Sequence, residues 1–119
     1  MIRILAAVFA LLGGAACAQD DVTSAPGAIL RGLDKVNGHT VDVELESGQT
    51  ATVFGLDVAL GDCRYPVDNP TGDAFAYLTI WEQGRTDELF DGWMIASSPA
   101  LNALDHARYD VWVIRCMTP

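Results

Sequence analysis

Phe90-Asp91-Gly92-Trp93-Met94-Ile95-Ala96-Ser97-Ser98-Pro99-Ala100-Leu101-Asn102-Ala103-Leu104-Asp105-His106, continuing through Tyr109-Asp110-Val111-Trp112-Val113-Ile114-Arg115-Cys116, is the stretch that decides the fold. It reads as strand, short helix, strand. The run from Leu89 to Ala96 is apolar, with aromatic residues at Phe90 and Trp93. Ser98 is a good N-cap and Pro99 is the residue best tolerated at the first helical position. Leu101 and Leu104 are three apart, which would place them on one helical face. The closing run from Tyr109 is β-prone and ends on a cysteine.

Working back from that stretch, the chain reads as short strands punctuated by turns. In Asp73 to Glu82, Phe75, Tyr77 and Trp81 fall on one side, and Ala74, Ala76, Leu78 and Ile80 on the other. A strand apolar on both faces is usually central. Arg64 to Gly72 carries Pro66, Asn69, Pro70 and Gly72 and reads as a loop. Before it, Leu56, Val58 and Leu60 alternate with Asp57 and Ala59, and Thr50 to Phe54 is short and β-prone. Val41, Val43 and Leu45 alternate with Asp42, Glu44 and Glu46, the period of a strand with one buried and one wet face. Asn37-Gly38 precedes it as a hairpin signal, since both residues tolerate the positive φ of a tight primed turn. Ala28 to Val36 is the first strand expected.

About seven short strands and one short helix follow from this reading. The fold class expected is all-β with one short helix, a small antiparallel β-sandwich or partly open barrel. Most connections are too short for parallel crossovers.

The N-terminus reads as a targeting segment. Arg3 supplies a positive charge, Ile4 to Leu12 is apolar but too short to span a bilayer, and Ala16-Cys17-Ala18 matches a small-x-small cleavage pattern. The organisation expected is a cleaved signal peptide over 1–18, a flexible lead-in over 19–27 and a single β-rich domain over 28–117. The localisation expected is periplasmic, with no transmembrane span in the mature chain. The alternative is a lipoprotein anchored through Cys17.

Without Arg3 the chain carries six Lys/Arg against sixteen Asp/Glu, a formal charge of −10. That argues against nucleic acid, which needs a basic footprint, and against an electrostatic hold on anionic lipid. Cys63 and Cys116 remain after the signal, and two cysteines in an exported protein are most simply one disulfide. A redox pair or a metal site is the alternative, but no C-x-x-C is present and no histidine stands at ligand spacing.

Chemistry-bearing residues are few. Asp105-His106 follows the expected helix, with Ser97 and Ser98 before it and Tyr109 beyond. A hydrolase would make Ser97 or Ser98 the nucleophile and His106 its base, although there is no G-x-S-x-G elbow. The structural alternative is that Ser98 caps the helix and His106 meets its C-terminal dipole. His39 reads as a solvent-facing strand residue. Asp68 to Asp73 offers oxygens that could suit calcium, without the EF-hand pattern. Trp81, Trp93, Trp112, Phe75, Phe90, Tyr77 and Tyr109 could form a stacking platform, but such residues on strands are more often core. Tyr65 and Trp93 are where an exposed patch is expected. The candidate surface is therefore Tyr65, Trp93, Ser97, Ser98, Asp105, His106 and Tyr109. No catalytic residue, metal ligand or cofactor is assigned.

Arg31-Gly32-Leu33-Asp34-Lys35, Phe54-Gly55, Cys63-Arg64-Tyr65-Pro66, Asp73-Ala74-Phe75 and above all Gly92 to His106 with Tyr109 to Val113 resemble the bacterial domain-of-unknown-function 2155 family. The resemblance runs from about Ala28 to Cys116. A phenylalanine or similar residue in relatives stands where Ile95 is here, and a proline where Ala107 is. The resemblance implies a small exported protein of a kind found mainly in alphaproteobacteria, strengthens the domain limits and the two-cysteine reading, and carries no assigned activity or ligand. The leading expectation is a non-catalytic binding or interaction module with an envelope or periplasmic protein as partner. The alternatives are the small hydrolase and a carbohydrate- or peptide-binding module.

Overall fold

A computed structural model describes residues 21–118. The expected signal peptide over 1–18 and the lipid-bearing role weighed for Cys17 lie outside the described residues. Eight strands form: β1 (Val22–Ser24), β2 (Gly27–Asp34), β3 (Thr40–Glu46), β4 (Thr50–Val53), β5 (Leu56–Pro66), β6 (Phe75–Glu82), β7 (Glu88–Ile95) and β8 (Tyr109–Met117). They make two sheets, and every pairing is antiparallel. The first sheet runs β1-β5-β6-β7, with β4 also on β5, and the second runs β3-β2-β8. The result is a sandwich-like all-β fold that does not close into a barrel.

The long β5 organises the first sheet. Its Leu56–Ala59 end pairs with β4 and its Arg64–Pro66 end with β1, on the side opposite β6. Within the segment expected as a flexible lead-in, Val22–Ser24 pairs as β1 with the end of β5 that β4 leaves open. Strand β6 is central, as its two apolar faces require. Ala76, Leu78 and Ile80 face the core, while Phe75, Tyr77 and Trp81 stay half-buried on the outer side.

The core between the sheets is aliphatic. Leu30, Leu56, Leu60, Leu78, Ile80 and Met94 are its largest fully buried side chains. Of the aromatic residues expected there, Phe90 alone joins the buried cluster, and the others cover outer faces or ends. The sheets approach closely at Gly32, where a Cβ would stand 2.5 Å from Val53 Cγ1 and 3.3 Å from the Phe54 ring. The disulfide between Cys63 on β5 and Cys116 on β8 crosses from one sheet to the other, with the Cα atoms 5.7 Å apart.

Two local expectations are corrected. The Asn37-Gly38 turn is longer than a two-residue primed hairpin. Asp34 N–H donates to His39 C=O and Gly38 N–H to Asp34 C=O, so Lys35 to Gly38 form the loop. Only Gly38 takes positive φ, at 77°. Asn37 Oδ1 accepts from His39 N–H, a side-chain turn that replaces the primed conformation.

The short helix does not form either. Ile95 C=O accepts from Ser98 N–H and Ser98 C=O from Leu101 N–H, giving successive turns with Pro99 suited to the second position of the latter. A helical nucleus is costly, and this segment must cross from β7 in one sheet to β8 in the other. Leu104 reaches the core at 6% exposure while Leu101 stays 72% exposed, so the two do not share a face.

Candidate functional site

The structure separates the residues nominated from the sequence into three places. The first is the outer face of the first sheet. Register sets Arg64 opposite Phe75, Phe75 opposite Ile95 and Tyr77 opposite Trp93. Trp93, on the edge strand β7, is 37% exposed. Its ring meets Tyr77 edge-on at 5.3 Å, and the Arg64 guanidinium lies over it at 5.0 Å. Trp93 and Arg64 line a shallow groove of about 310 Å³ with Val22, Phe75 and Ile95. Arg64 is tied to Asp62 at 2.8 Å, and Asp62 also accepts from Ser24 Oγ at 3.1 Å. Nearby, Thr79 Oγ1 donates to Asp91 at 2.8 Å. A hydrogen bond to Asp91 first, and burial second, push the Tyr77 phenol above its usual range. Tyr65, nominated beside Trp93, is instead half-buried and packed against the core.

The second place is one end of the sandwich, where Asp34, Phe54, Glu82, His106, Arg108 and Tyr109 converge. Phe54 and Tyr109 stack at 5.7 Å with ring planes 4° apart, and His106 stacks on Tyr109 at 5.3 Å. Phe54 holds φ at +55°, an unusual conformation for a bulky residue. His106 Nδ1 accepts from the backbone N–H groups of Arg108 at 3.0 Å and Tyr109 at 3.1 Å. Its lone pair is therefore on Nδ1, and Nε2–H donates to Glu82 Oε1 at 3.0 Å. Arg108 lies over the Tyr109 ring at 5.3 Å and reaches the buried Asp34 carboxylate, with Nη2 3.0 Å from Oδ2. Those hydrogen bonds hold the Asp34 carboxyl below the usual range; burial opposes them and the Val36 N–H adds to them.

The third place is the Asp73–Ser97 latch. Ser97 Oγ donates to Asp73 Oδ2 at 2.7 Å, and Asp73 Oδ1 accepts from the N–H groups of Ser97 and Ala74. Asp73 was one of the oxygens considered for calcium, and both of its carboxylate oxygens are occupied here.

The hydrolase constellation is not assembled. Ser97 is bound to Asp73, His106 uses both ring nitrogens on Glu82 and the backbone, and no hydrogen bond joins a serine to His106 among the described residues. Ser98 lies in the exposed turn and caps no helix, and Asp105 is exposed beside it in sequence. His106 meets no helix dipole, because none exists there. His39 is exposed, but it sits just before β3 and not within a strand. Among the described residues no three or more His, Cys, Asp or Glu gather as a metal site.

Sequence reasoning grouped Trp93 with Phe75 and Tyr77 among possible stacking residues but missed Arg64, Ile95 and Val22 beside them. Strand alternation alone put Phe75, Tyr77 and Trp81 on one face; the absent signal was the register that brings Arg64, Ile95 and Val22 alongside. Glu82 and Asp34, partners of His106 and Arg108, are 24 and 74 residues away in sequence and carry no local motif.

Comparison with known proteins agrees with the resemblance. An uncharacterised protein of Rickettsia prowazekii (strain Madrid E), RP359, is 27% identical over 88 residues, covering 71% of this chain and 56% of that one. The chain thus spans little more than half the length of that curated relative. No solved structure matches. The profile of DUF2155, described as an uncharacterised protein conserved in bacteria, matches residues 28–116, from the second residue of β2 to the bridging cysteine of β8, and the chain belongs to that family.

Proposed function

We propose that this chain is an exported, periplasmic interaction module that docks a protein of the cell envelope through the outer face of its first sheet and performs no catalysis. The observation that carries the reading is Trp93, 37% exposed on an edge strand in an apolar groove. Trp, Tyr and Arg are the side chains that most often anchor protein interfaces, and Trp93, Tyr77 and Arg64 stand together here. The guanidinium over the indole covers one face, which leaves less ring for stacking a sugar and favours a protein partner. An inter-sheet disulfide suits an oxidising compartment, and the acidic surface suits solubility there.

The test is a pull-down of the tagged mature protein from its own cell envelope, with and without cross-linker, read by mass spectrometry. A stoichiometric partner recovered without cross-linker and lost in Trp93→Ala is the expected result. Because Trp93 is partly exposed, the variant should keep its fold, with a stability change within about 1 kcal/mol. Recovery of the protein alone, or a partner indifferent to Trp93, would overturn the proposal.

A further inference from the structure

Sheet edges are templates for added strands, and proteins usually block them. Two edges here are covered. Strand β7 is capped where Asn102 Nδ2 donates to Trp93 C=O at 2.8 Å. The loop carrying Pro99, Ala100 and Ala103 lies beside β8, whose Val111 is 1% exposed.

Strands β3 and β4 are open. Among the described residues β3 pairs with β2 alone and β4 with β5 alone. Asp34 N–H donates to His39 C=O at 2.9 Å, so the main chain at His39 faces β2. Alternation then turns the groups of Thr40, Asp42 and Glu44 away from β2. Leu60 N–H donates to Gln49 C=O at 3.0 Å, which by the same rule turns the groups of Thr50 and Thr52 away from β5. All five residues are exposed. The two edges stand at one corner of the sandwich, joined by the turn through Ser47, Gly48 and Gln49. A Cβ on Gly32 would lie 2.5 Å from Val53 Cγ1 and 3.5 Å from Val41 Cγ1, so Val41 and Val53 share a level along the strands. Val41 points inward there yet is 39% exposed, because no strand lies beyond it.

We infer that a second copy of this chain docks at this corner, β3 of each copy pairing antiparallel with β4 of the other about a twofold axis along the strands. Such an axis keeps both level and direction. On the inner side it sets Val41 opposite Val53 of the second copy, and Val43 opposite its Ala51. On the outer side it sets Asp42 opposite Thr52 of the second copy, and Glu44 opposite its Thr50. The residues turned outward on β3 thus meet those turned outward on β4, and each such pair exchanges both main-chain bonds. Symmetry repeats the set, so β8-β2-β3 of one copy continues into β4-β5-β6-β7 of the other in both layers. Charge selects this pairing. Strand β4 carries no charged residue, Thr50 offers Glu44 a hydroxyl, and Arg31 already pairs with Asp42 at 2.7 Å. A β3–β3 pairing centred on Asp42 would instead set that carboxylate against its own equivalent. The corner lies across the first sheet from β7 and Trp93, so neither reading depends on the other.

The test is sedimentation equilibrium of the disulfide-intact protein from about 10 μM to about 1 mM. A monomer–dimer equilibrium is expected, strengthening as salt screens the two acidic surfaces. Thr50→Lys, facing Glu44 of the second copy, should tighten it by about threefold or more, and Thr50→Glu should loosen it by as much. Leu101→Lys adds the same charge at a residue 72% exposed in another loop and should stay within about twofold. Val41→Lys aims a charge at Val53 of the second copy and should weaken the dimer by about tenfold or more. If that variant melts early, the exposed Thr50 pair decides. A short bifunctional thiol reagent should join Asp42→Cys chains to Thr52→Cys chains when the two are mixed, and neither to itself. A protein monomeric at the highest concentration, Thr50→Lys and Thr50→Glu acting alike, or Asp42→Cys chains joined to one another would each overturn the inference.

Discussion

At the scale of single residues, the buried Asp34 carries the clearest pH dependence. Arg108 holds its carboxyl ionised to lower pH than in the unfolded chain. A carboxylate with a depressed folded-state pKa binds fewer protons when folded, so unfolding takes up protons in acid. Its stabilising contribution is complete above the unfolded value of about 3.9 and is lost as pH falls through the lower folded value. Asp42 is also lowered, by Arg31, but both of those side chains are largely exposed, and such pairs contribute little. Asp34→Asn should therefore lower stability at neutral pH and flatten the acid limb of the profile. Asp42→Asn should change neither appreciably. Urea unfolding midpoints between pH 7 and pH 2 check this, and equal effects of the two variants would refute it. Neither difference could be read from sequence. Asp34 and Asp42 both lie in strands beside apolar residues, and the Arg108 that pairs with Asp34 is 74 residues on.

At the scale of elements, period-two patterns found the strands, and β6 found its central place, because both signals are local. Strand β1 escaped notice since Val22-Thr23-Ser24 has little apolar content and is ordered by its partner, β5. The segment from Ser97 to Arg108 was misread for a related reason. Ser98, Pro99 and the Leu101/Leu104 spacing are good local helix signals, but tertiary demands decide here. Asn102 spends its side chain on Trp93 C=O, Ser97 on Asp73, and Leu104 joins the buried core. A helix would present Leu101 and Leu104 to the same surface; the observed loop does not. Leu104→Ala should thus cost about 2–3 kcal/mol, the lower part of the range for buried leucine truncation. Leu101→Ala should fall within about 0.5 kcal/mol of the parent. Chemical denaturation of the two variants distinguishes the cases, since similar losses would point to the helix.

At the scale of the whole molecule, the bridge between Cys63 and Cys116 joins what the backbone leaves separate. The two sheets share no ladder, so they are held by aliphatic packing, the crossing loops and this bond. Counting cysteines was enough to propose the pair, but that it ties one sheet to the other required the topology. With its ends 53 positions apart in sequence, the crosslink contributes about 4 kcal/mol in the chain-entropy account. For a domain of this size that is a large share of the usual stability of about 5–15 kcal/mol. Both cysteines are buried, so a small thiol reaches the bond only after the sheets part. The native protein should therefore resist reduction under conditions that reduce it at once in denaturant. The Cys63→Ala/Cys116→Ala variant should retain the same strands at low temperature yet unfold at much lower urea. Thiol labelling with time and urea titration of the variant measure the two effects. Rapid labelling of the native chain, or a variant as stable as its parent, would mean that side-chain packing alone holds the sheets together.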